Sequence, residues 1–302
     1  ISHPFFFTLL LFLIAIYFGL RYVAYVKINN LLPDESKIAF GDIDVGFFPL
    51  RLQVHNLKDV IIKNKKVGGF EEAILEVSPL SLLTGPMEAE LLVIRPRIYL
   101  DNELLKGGKK KASSAFELPS WFTKNKWKLK IIDGEIAFNT PKFYANLVRF
   151  DLYSFTRGDS NIYRLTSPHL KIKFPLSKQD VIVEGQLIVE CKMQTGSLKV
   201  SKFYWETEFV TVNANGRMYY DGRMALNVYT QGSGKQILDP ILRKLSIKEF
   251  MYVNARVKKS RTGLVSISGE ASFNSFTFGG EAFSNLKASV EWDNMTKRIR
   301  LN

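Results

Sequence analysis

The sequence predicts a mainly β protein, in which an N-terminal transmembrane helix precedes an elongated, curved and mostly antiparallel sheet with one or two short helices. Three observations carry this prediction. Residues 4–20 form an apolar run without a formal charge, about fifteen later segments alternate apolar and polar residues, and only two short segments have a helical pattern. Because short turns join the predicted strands, most of them should pair in antiparallel fashion.

The apolar run Pro4–Leu20 predicts a membrane anchor. At about 1.5 Å per residue, such a helix spans most of a hydrocarbon core of roughly 30 Å. Arg21, Tyr22, Tyr25 and Lys27 follow the run, and cations and aromatic rings of this kind are typical of the membrane interface. A cleaved signal peptide is the alternative, but no small-x-small motif follows the run, which favours a retained anchor across residues 1–27. The charges alone leave the orientation of this helix open.

The composition limits the class of protein. Of the 302 residues, 46% are hydrophobic and 13% are aromatic, which excludes a globally disordered chain. The formal net charge of +13 indicates anionic partners, with lipid headgroups and nucleic acid as the two candidates. A membrane anchor favours lipid headgroups. Cys191 is the only cysteine, so an intrachain disulfide is excluded.

The first part of the predicted sheet covers residues 28–104. Lys37–Val45 and Leu50–Ile62 have the pattern of strands. Ser78–Thr84 predicts a short helix, with serine as its cap, proline at its first position and Gly85 as its stop.

A basic loop and linker is predicted at residues 105–126. Its first part, residues 105–114, is small and basic and has nothing to bury, which is typical of a solvated loop. Contact with an anionic membrane surface is the functional alternative.

Strand signals continue through residues 127–302. The clearest is Val181–Met193, whose odd-numbered positions are largely apolar while Glu184, Gln186 and Glu190 face the other way. One helix is predicted at residues 237–245, ending at Leu245. The alternation runs to the last residue, so we expect the chain to be part of a longer polypeptide. For that reason we favour an elongated open sheet over a closed β-sandwich.

The sequence gives little support for a catalytic site or a metal site. The histidines are His3, His55 and His169, and no spacing of His, Cys and carboxylate residues matches a metal site. Cys191 lies on the apolar face of its predicted strand, where an inert buried thiol is expected. Asp42 and Asp44 share a face and are expected to be solvated. We therefore predict a protein that is not an enzyme and that binds no cofactor and no metal.

Four motifs follow the predicted helix in order. Gly41–Ile62 contains Phe-Pro followed by alternating leucines, and Ser81–Gly85 reads Ser-Leu-Leu-Thr-Gly. Leu92–Leu100 places a proline between alternating aliphatic residues, and Asp133–Phe138 reads Asp-Gly-Glu-Ile-Ala-Phe. This order resembles the start of the AsmA-like family of envelope proteins, which includes the TamB type. The resemblance covers residues 1 to 140.

The resemblance implies a protein of the inner membrane of a diderm bacterium, with a single pass and the bulk of the chain in the periplasm. It implies a repeating β-groove, and it places the N-terminus of the helix in the cytoplasm. Proteins of this family are thought to carry phospholipids between the inner and outer membranes. The expected partners are therefore phospholipids and the inner membrane, with an outer-membrane or envelope protein as a further one.

On this hypothesis, apolar positions of the strands line the groove and hold acyl chains. The residues expected there are Leu52, Val54, Leu75, Leu92, Ile94, Ile98, Ile136, Phe138, Val183, Leu187, Val189, Val200, Val253, Val257, Phe273 and Val290. An ordinary closed core would have the same sequence pattern.

Two other functions stay open on the sequence. The first is an envelope scaffold or an assembly factor for outer-membrane proteins, acting by strand addition at a sheet edge. The second is binding of single-stranded nucleic acid through lysines interleaved with aromatic rings, as at Lys126–Lys128 and Lys202–Trp205. The predicted membrane helix argues against nucleic acid.

Overall fold

The structure is a computed structural model of the chain. It describes residues 22, 36–39, 41–47, 49–62, 65–81, 87–101, 126–140, 144–157, 160–175, 180–194, 196–233, 245–247, 251–278, 280–293 and 299–301. The predicted anchor at Pro4–Leu20 and the basic segment 105–114 lie outside these residues, as does nearly all of the predicted helix at 237–245.

Most of the described residues belong to β-strands, which confirms a mainly β fold. The strands are β1 (Ser36–Ala39), β2 (Asp42–Phe47), β3 (Leu50–Ile62), β4 (Lys65–Val77), β5 (Glu88–Ile94), β6 (Arg97–Asp101), β7 (Lys126–Asn139), β8 (Tyr144–Arg157), β9 (Ser160–Pro175), β10 (Asp180–Gln194), β11 (Ser197–Thr207), β12 (Val210–Tyr219), β13 (Met224–Gly232), β14 (Leu245–Ile247), β15 (Met251–Lys259), β16 (Val265–Phe278), β17 (Glu281–Asp293) and β18 (Ile299–Leu301).

Helical structure is scarce in the described part of the chain. Tyr22 is helical and 70% exposed, and no helix that the structure describes is both long and apolar enough to cross a membrane. Ser78 and Ser81 close a turn, in which the Ser81 N–H donates to the Ser78 carbonyl over 3.1 Å. Ser81 is helical, but residues 82–86 of the helix predicted at Ser78–Thr84 lie outside the described residues.

Two sequence predictions about element boundaries are wrong. Leu245 does not end a helix; it begins β14 and pairs with Phe278. The single strand predicted over Lys37–Val45 is two strands, β1 and β2, and both pair with β3. Gly41 lies between them, and its N–H donates to the His55 carbonyl over 3.0 Å.

The described residues divide into two compact units. Those of Ile1–Tyr99 and Pro119–Glu135 form the first unit, and those of Leu100–Leu118 and Ile136–Asn302 form the second. In the first unit, β1 and β2 pair with β3, and β3, β4 and β5 pair in sequence, all antiparallel. The partner of β5 on its other side is β7, which runs parallel to it. The sheet of this unit is therefore mixed.

The second unit is an antiparallel meander. Strands β8 to β13 each pair with the next, β13 pairs with β15, and β15, β16 and β17 continue the order. Strand β14 pairs with the part of β16 that lies beyond the end of β15, and β18 pairs with the end of β17. Hairpin connections of this kind need only short turns, as the sequence predicted.

An extra residue in β11 changes which side chains share a face. Val200 pairs with Cys191, whereas Lys202 pairs with the neighbouring Glu190, so Ser201 is inserted between them. The Ser201 hydroxyl donates to the Glu190 carbonyl over 3.1 Å. Because side chains alternate along a strand, the insertion places Phe203 on the same face as Val200.

Strand β9 contains a similar irregularity. Gly185 of β10 pairs with Leu170, but Leu187 pairs with Ser167, so β9 has one residue more than β10 over this stretch. Ser167 is buried, donates to the Val148 carbonyl over 2.8 Å and accepts from the His169 N–H over 3.2 Å. This serine therefore satisfies backbone groups where the ladder is interrupted.

Few large side chains are fully buried in the described part of the chain. There, the largest side chain with less than 2% exposure is that of Ser167. Leu187 and Val200 are buried, at 6% and 7% exposure, but Trp205 and Leu226 are only half-buried. Two sheets packed face to face would enclose large apolar side chains completely. The described residues do not show such an enclosed layer.

Gly216 provides a test of how closely β12 and β13 approach each other. It has a φ of 149°, and a Cβ at this position would lie 2.1 Å from the Ala225 carbonyl oxygen. Because that neighbour is backbone, Gly216→Ala should destabilise the fold by about 1–3 kcal/mol. Urea unfolding followed by circular dichroism measures the change. The neighbouring and exposed Asn215→Ala is the control, and an equal loss in both variants would contradict this account.

Candidate functional site

Apolar positions of the second unit lie in register across the meander. One transverse row takes one residue from each of ten successively paired strands. Its members are Leu152, Leu165, Val189, Phe203, Ala214, Val228, Ala255, Gly269, Val290 and Leu301. Paired residues share a face of a sheet, so this row is apolar along its whole length. With strands about 4.8 Å apart, it extends for roughly 43 Å.

Two further rows flank the first on the same face. One contains Tyr163, Cys191, Val200, Gly216, Leu226, Val257, Ile267, Trp292 and Ile299. The other contains Leu187, Trp205, Val212, Thr230, Val253, Ala271 and Ala288. We call the surface formed by these three rows the apolar face.

Eight of the predicted lining residues are brought together here. Six of them hold positions in the rows given above: Leu187, Val189, Val200, Val253, Val257 and Val290. The other two share the face, since Val183 lies four residues before Leu187 on β10 and Phe273 lies two residues after Ala271 on β16. Val183, Leu187 and Val200 are buried, whereas Val189, Val253, Val257 and Phe273 are half-buried.

The first unit has an apolar face of its own. Leu52 pairs with Val45 and Leu75, and Leu75 pairs with Leu91. Val54 lies in the next row, between Ile43 and Ala73. The predicted residues Leu52, Val54 and Leu75 are therefore brought together, and Val54 is buried at 8% exposure.

Leu92 and Ile94 do not share this face, which corrects their assignment to one lining with Leu52. Leu92 pairs with Ile74, and Ile94 pairs with Glu72. The apolar row passes through Leu91 instead, because Leu91–Ile94 is apolar at every position and its alternation is ambiguous. The preceding residues indicate which positions face inward, because Ala89 stands between two glutamates. In the structure Ala89 is 4% exposed, and Glu88 and Glu90 are both exposed.

The other predicted residues are more scattered. Ile98 pairs with Gly68 of β4 and is 38% exposed. Ile136 and Phe138 are both half-buried, two residues apart in β7. Of the predicted membrane interface, only Tyr22 is described, and Arg21, Tyr25 and Lys27 lie outside the described residues.

The sequence patterns missed several aromatic and aliphatic members of the apolar face. In the sequence, Phe203 and Trp205 stand out only as part of a basic and aromatic segment, because their alternation is out of phase with that of Val200. Ser201, the residue inserted in β11, places Phe203 and Trp205 on the same face as Val200. The residue order Val-Ser-Lys-Phe, with two polar residues between apolar ones, was the available signal for a bulge.

Cys191 lies on the apolar face with Tyr163, its partner on β9. Burial raises the pKa of the Cys191 thiol, and it also raises the pKa of Tyr163. The thiol is therefore protonated near neutral pH, and a protonated thiol is a poor nucleophile.

Two of the histidines noted in the sequence lie beside carboxylates near the surface. The His55 Nε2 atom lies 3.5 Å from Asp44 Oδ2, and its Nδ1 atom lies 3.5 Å from Glu72 Oε1. His169 Nδ1 lies 3.1 Å from Glu184 Oε1. Within the described ranges, no group of three or more His, Cys, Asp or Glu side chains is placed to hold a metal ion.

Comparison with known proteins adds no assignment. No protein-family model matches this sequence, and no curated protein matches it. The resemblance to the AsmA-like family stays a prediction from the four motifs.

The environment of Cys191 predicts slow alkylation. Because its pKa is raised, less thiolate is present at pH 8 than for a free cysteine, and iodoacetamide should react correspondingly more slowly. Raising the pH should accelerate the reaction, and unfolding in urea should bring it to the rate of a free thiol. Mass spectrometry of the Cys191 peptide measures this. A rate in the folded chain equal to that of free cysteine would show that the thiol is not shielded.

Proposed function

We propose that this chain is a lipid-transfer protein that conducts phospholipids along its apolar face between the inner and outer membranes of a bacterial envelope. The single observation that carries the proposal is the ten-strand row from Leu152 to Leu301, in which every position is apolar. The half-burial of Phe203 and Val228 also supports it, because these side chains retain surface that a ligand can cover.

The finer architecture belongs to the same proposal. The chain would be an elongated, curved groove, anchored in the inner membrane by the apolar run Pro4–Leu20, with its bulk in the periplasm. The four AsmA-like motifs support this arrangement. The anchor would hold the start of the groove at the bilayer, where lipid enters.

The mechanism would be passive. Each CH₂ group removed from water contributes about 0.8 kcal/mol, so a diacyl lipid is strongly retained on an apolar surface. Successive strands present similar apolar groups about 4.8 Å apart, so the lipid can move from one strand to the next without entering water. The middle of the row consists of Ala214, Ala255 and Gly269, whose side chains are small or absent. This leaves room above the sheet for acyl chains.

A closed core is the competing explanation of the same pattern. It would require a second apolar layer against the face, and large side chains such as Trp205 would then be fully enclosed. In the structure, Trp205 and Leu226 remain half-buried. This exposure favours a ligand-covered face over a closed core.

Photocrosslinking tests the proposal at two neighbouring positions on opposite faces. A benzophenone amino acid at Val228 should crosslink to copurified phospholipid, because Val228 lies in the apolar row. The same group at Tyr229, which is exposed on the other face, should give little lipid adduct. Mass spectrometry of the adducts identifies the lipid.

Aspartate substitutions complete this test. Val228→Asp should leave the fold intact and abolish copurified phospholipid, since a carboxylate on the face disfavours acyl chains. Tyr229→Asp, on the other face, is the matched control and should retain the lipid. If Val228→Asp instead unfolds the chain, a closed core is favoured. If Val228→Asp is folded and retains all its lipid, lipid conduction along this face is excluded.

The second candidate function, a scaffold acting by strand addition, rests on one sheet edge. Strand β18 pairs with only Val290–Trp292 of β17. Among the described residues, no strand pairs with the outer edge of residues 284–289, so their outward backbone groups are open to an added strand.

Proline substitution tests the scaffold function. Successive residues of an edge strand direct their N–H groups to opposite sides of the strand. Of the two variants Lys287→Pro and Ala288→Pro, one therefore removes an N–H group that points outward and leaves the hydrogen bonds to β16 intact. That variant should lose a stoichiometric protein partner in a pull-down but keep its lipid. Lys287→Ala is the control. Retention of the partner by both proline variants, if they are folded, would exclude strand addition here.

A further inference from the structure

A line of cations crosses the second unit on the face opposite the apolar face. Lys192 pairs with Lys199, and Lys199 pairs with Arg217. Arg217 pairs with Ala225, which in turn pairs with Lys258. Because directly paired residues lie on one face, four cations on β10, β11, β12 and β15 form a single transverse row. We call it the cationic row.

This row carries an electrostatic cost in the isolated chain. Like charges directly opposite each other in a sheet are destabilising, and the row contains two such pairs in succession. Lys199, Arg217 and Lys258 are exposed, and Lys192 is half-buried. In the described part of the chain, none of these four side chains has a carboxylate within ion-pair distance.

Carboxylates near the row are engaged elsewhere. Glu190 Oε1 lies 3.6 Å from Arg164 Nε, and Asp221 Oδ2 lies 2.7 Å from Arg223 Nε. The pKa of Asp221 is lowered by its hydrogen bond from the Arg223 backbone, so this carboxylate is ionised and satisfied at neutral pH. Neither of these two carboxylates therefore pairs with a cation of the row.

A shallow depression lies at the centre of the row. It has a volume of about 270 Å³, and its lining includes Lys199, Arg217, Arg256, Asn227 and Ala225. Arg256 pairs with Asn227, one row away, and adds a third cation. The Asn227 amide donates to Asn215 Oδ1 over 3.3 Å, which holds it in place. The methyl group of Ala225 leaves space where the neighbouring strands carry long side chains.

We propose that this depression is a binding site for clustered phosphate groups, such as a polyphosphate or a lipid headgroup with a phosphate monoester. Guanidinium groups bind phosphate oxygens in pairs, and lysines add point charges that need no fixed geometry. The Cβ atoms of paired cations on adjacent strands lie about 5 Å apart, so their long side chains can contact phosphates linked in series better than an isolated carboxylate. The site is independent of the lipid-conducting face, since it lies on the other side of the sheet.

Calorimetric titration tests the site with a defined probe. Tripolyphosphate is titrated into the purified 302-residue chain in nonionic detergent at low ionic strength, with sulfate as the comparison anion. Tripolyphosphate should bind with single-site stoichiometry and more tightly than sulfate. Lys199→Gln and Arg217→Gln should each weaken binding by about tenfold or more, the loss expected for one charge-assisted contact.

Matched controls separate the site from net charge. Lys287→Gln removes an exposed cation from the same face of β17, and Lys259→Gln removes one from β15 outside the row. Both should bind tripolyphosphate like the parent chain. Equal weakening in the control and row variants would overturn the proposal, as would tripolyphosphate binding no tighter than sulfate.

Vesicles distinguish the two sources of phosphate. Flotation compares phosphatidylcholine vesicles that contain phosphatidic acid, a phosphate monoester, with vesicles that contain phosphatidylglycerol, a diester. A lipid headgroup is supported if the chain binds phosphatidic acid vesicles and if this binding is weakened by Arg217→Gln and by competing tripolyphosphate. Tripolyphosphate binding without such vesicle binding supports a soluble ligand.

Thermal melting gives an independent readout without ligand. Relief of repulsion should make Arg217→Gln and Lys199→Gln melt at a higher temperature than the parent chain at low salt, and high salt should remove the difference. Lower melting temperatures for both variants would show that the cations stabilise the fold, which would overturn the proposal.

Discussion

The backbone hydrogen-bond register of the antiparallel ladder is the constraint on which the other features of the second unit depend. Side chains alternate with a period of two, so a slip of one residue would move the apolar set of a strand to the opposite face. The inserted residue in β11 and the irregularity in β9 absorb such slips locally. Without them, Phe203 and Leu165 would lie out of phase with Val189.

The same register sorts two chemistries onto opposite sides of one sheet. The row through Val189 and Val228 presents hydrocarbon, while the row through Lys199 and Arg217 presents positive charge. On each strand that they share, the two rows lie only three or four residues apart. A pairing register that aligns the apolar row across the strands therefore aligns the cationic row as well. The proposed lipid-binding face and the proposed phosphate site can thus arise from a single pattern of pairing.

Much of the fold followed from short-range patterns. The regular alternation of Val181–Met193 predicted β10 and its apolar side, and eight predicted lining residues of the second unit share one face. Prediction failed where alternation was ambiguous or interrupted. The uniformly apolar Leu91–Ile94 could face either way, and only pairing with β4 decided it. The parallel pairing of β5 with β7 joins segments far apart in the chain, which no local pattern specifies.

The sequence by itself determined that this chain forms strands with one apolar side, because a period of two in hydrophobicity is a local property of each segment. It also determined the apolar run Pro4–Leu20 and the excess of positive charge. Only the tertiary structure decided which strands meet, and so which positions form continuous rows. The ten-strand apolar row and the cationic row at Arg217 exist because hydrogen bonds between paired strands fix their registers, and those registers are not encoded within any single strand.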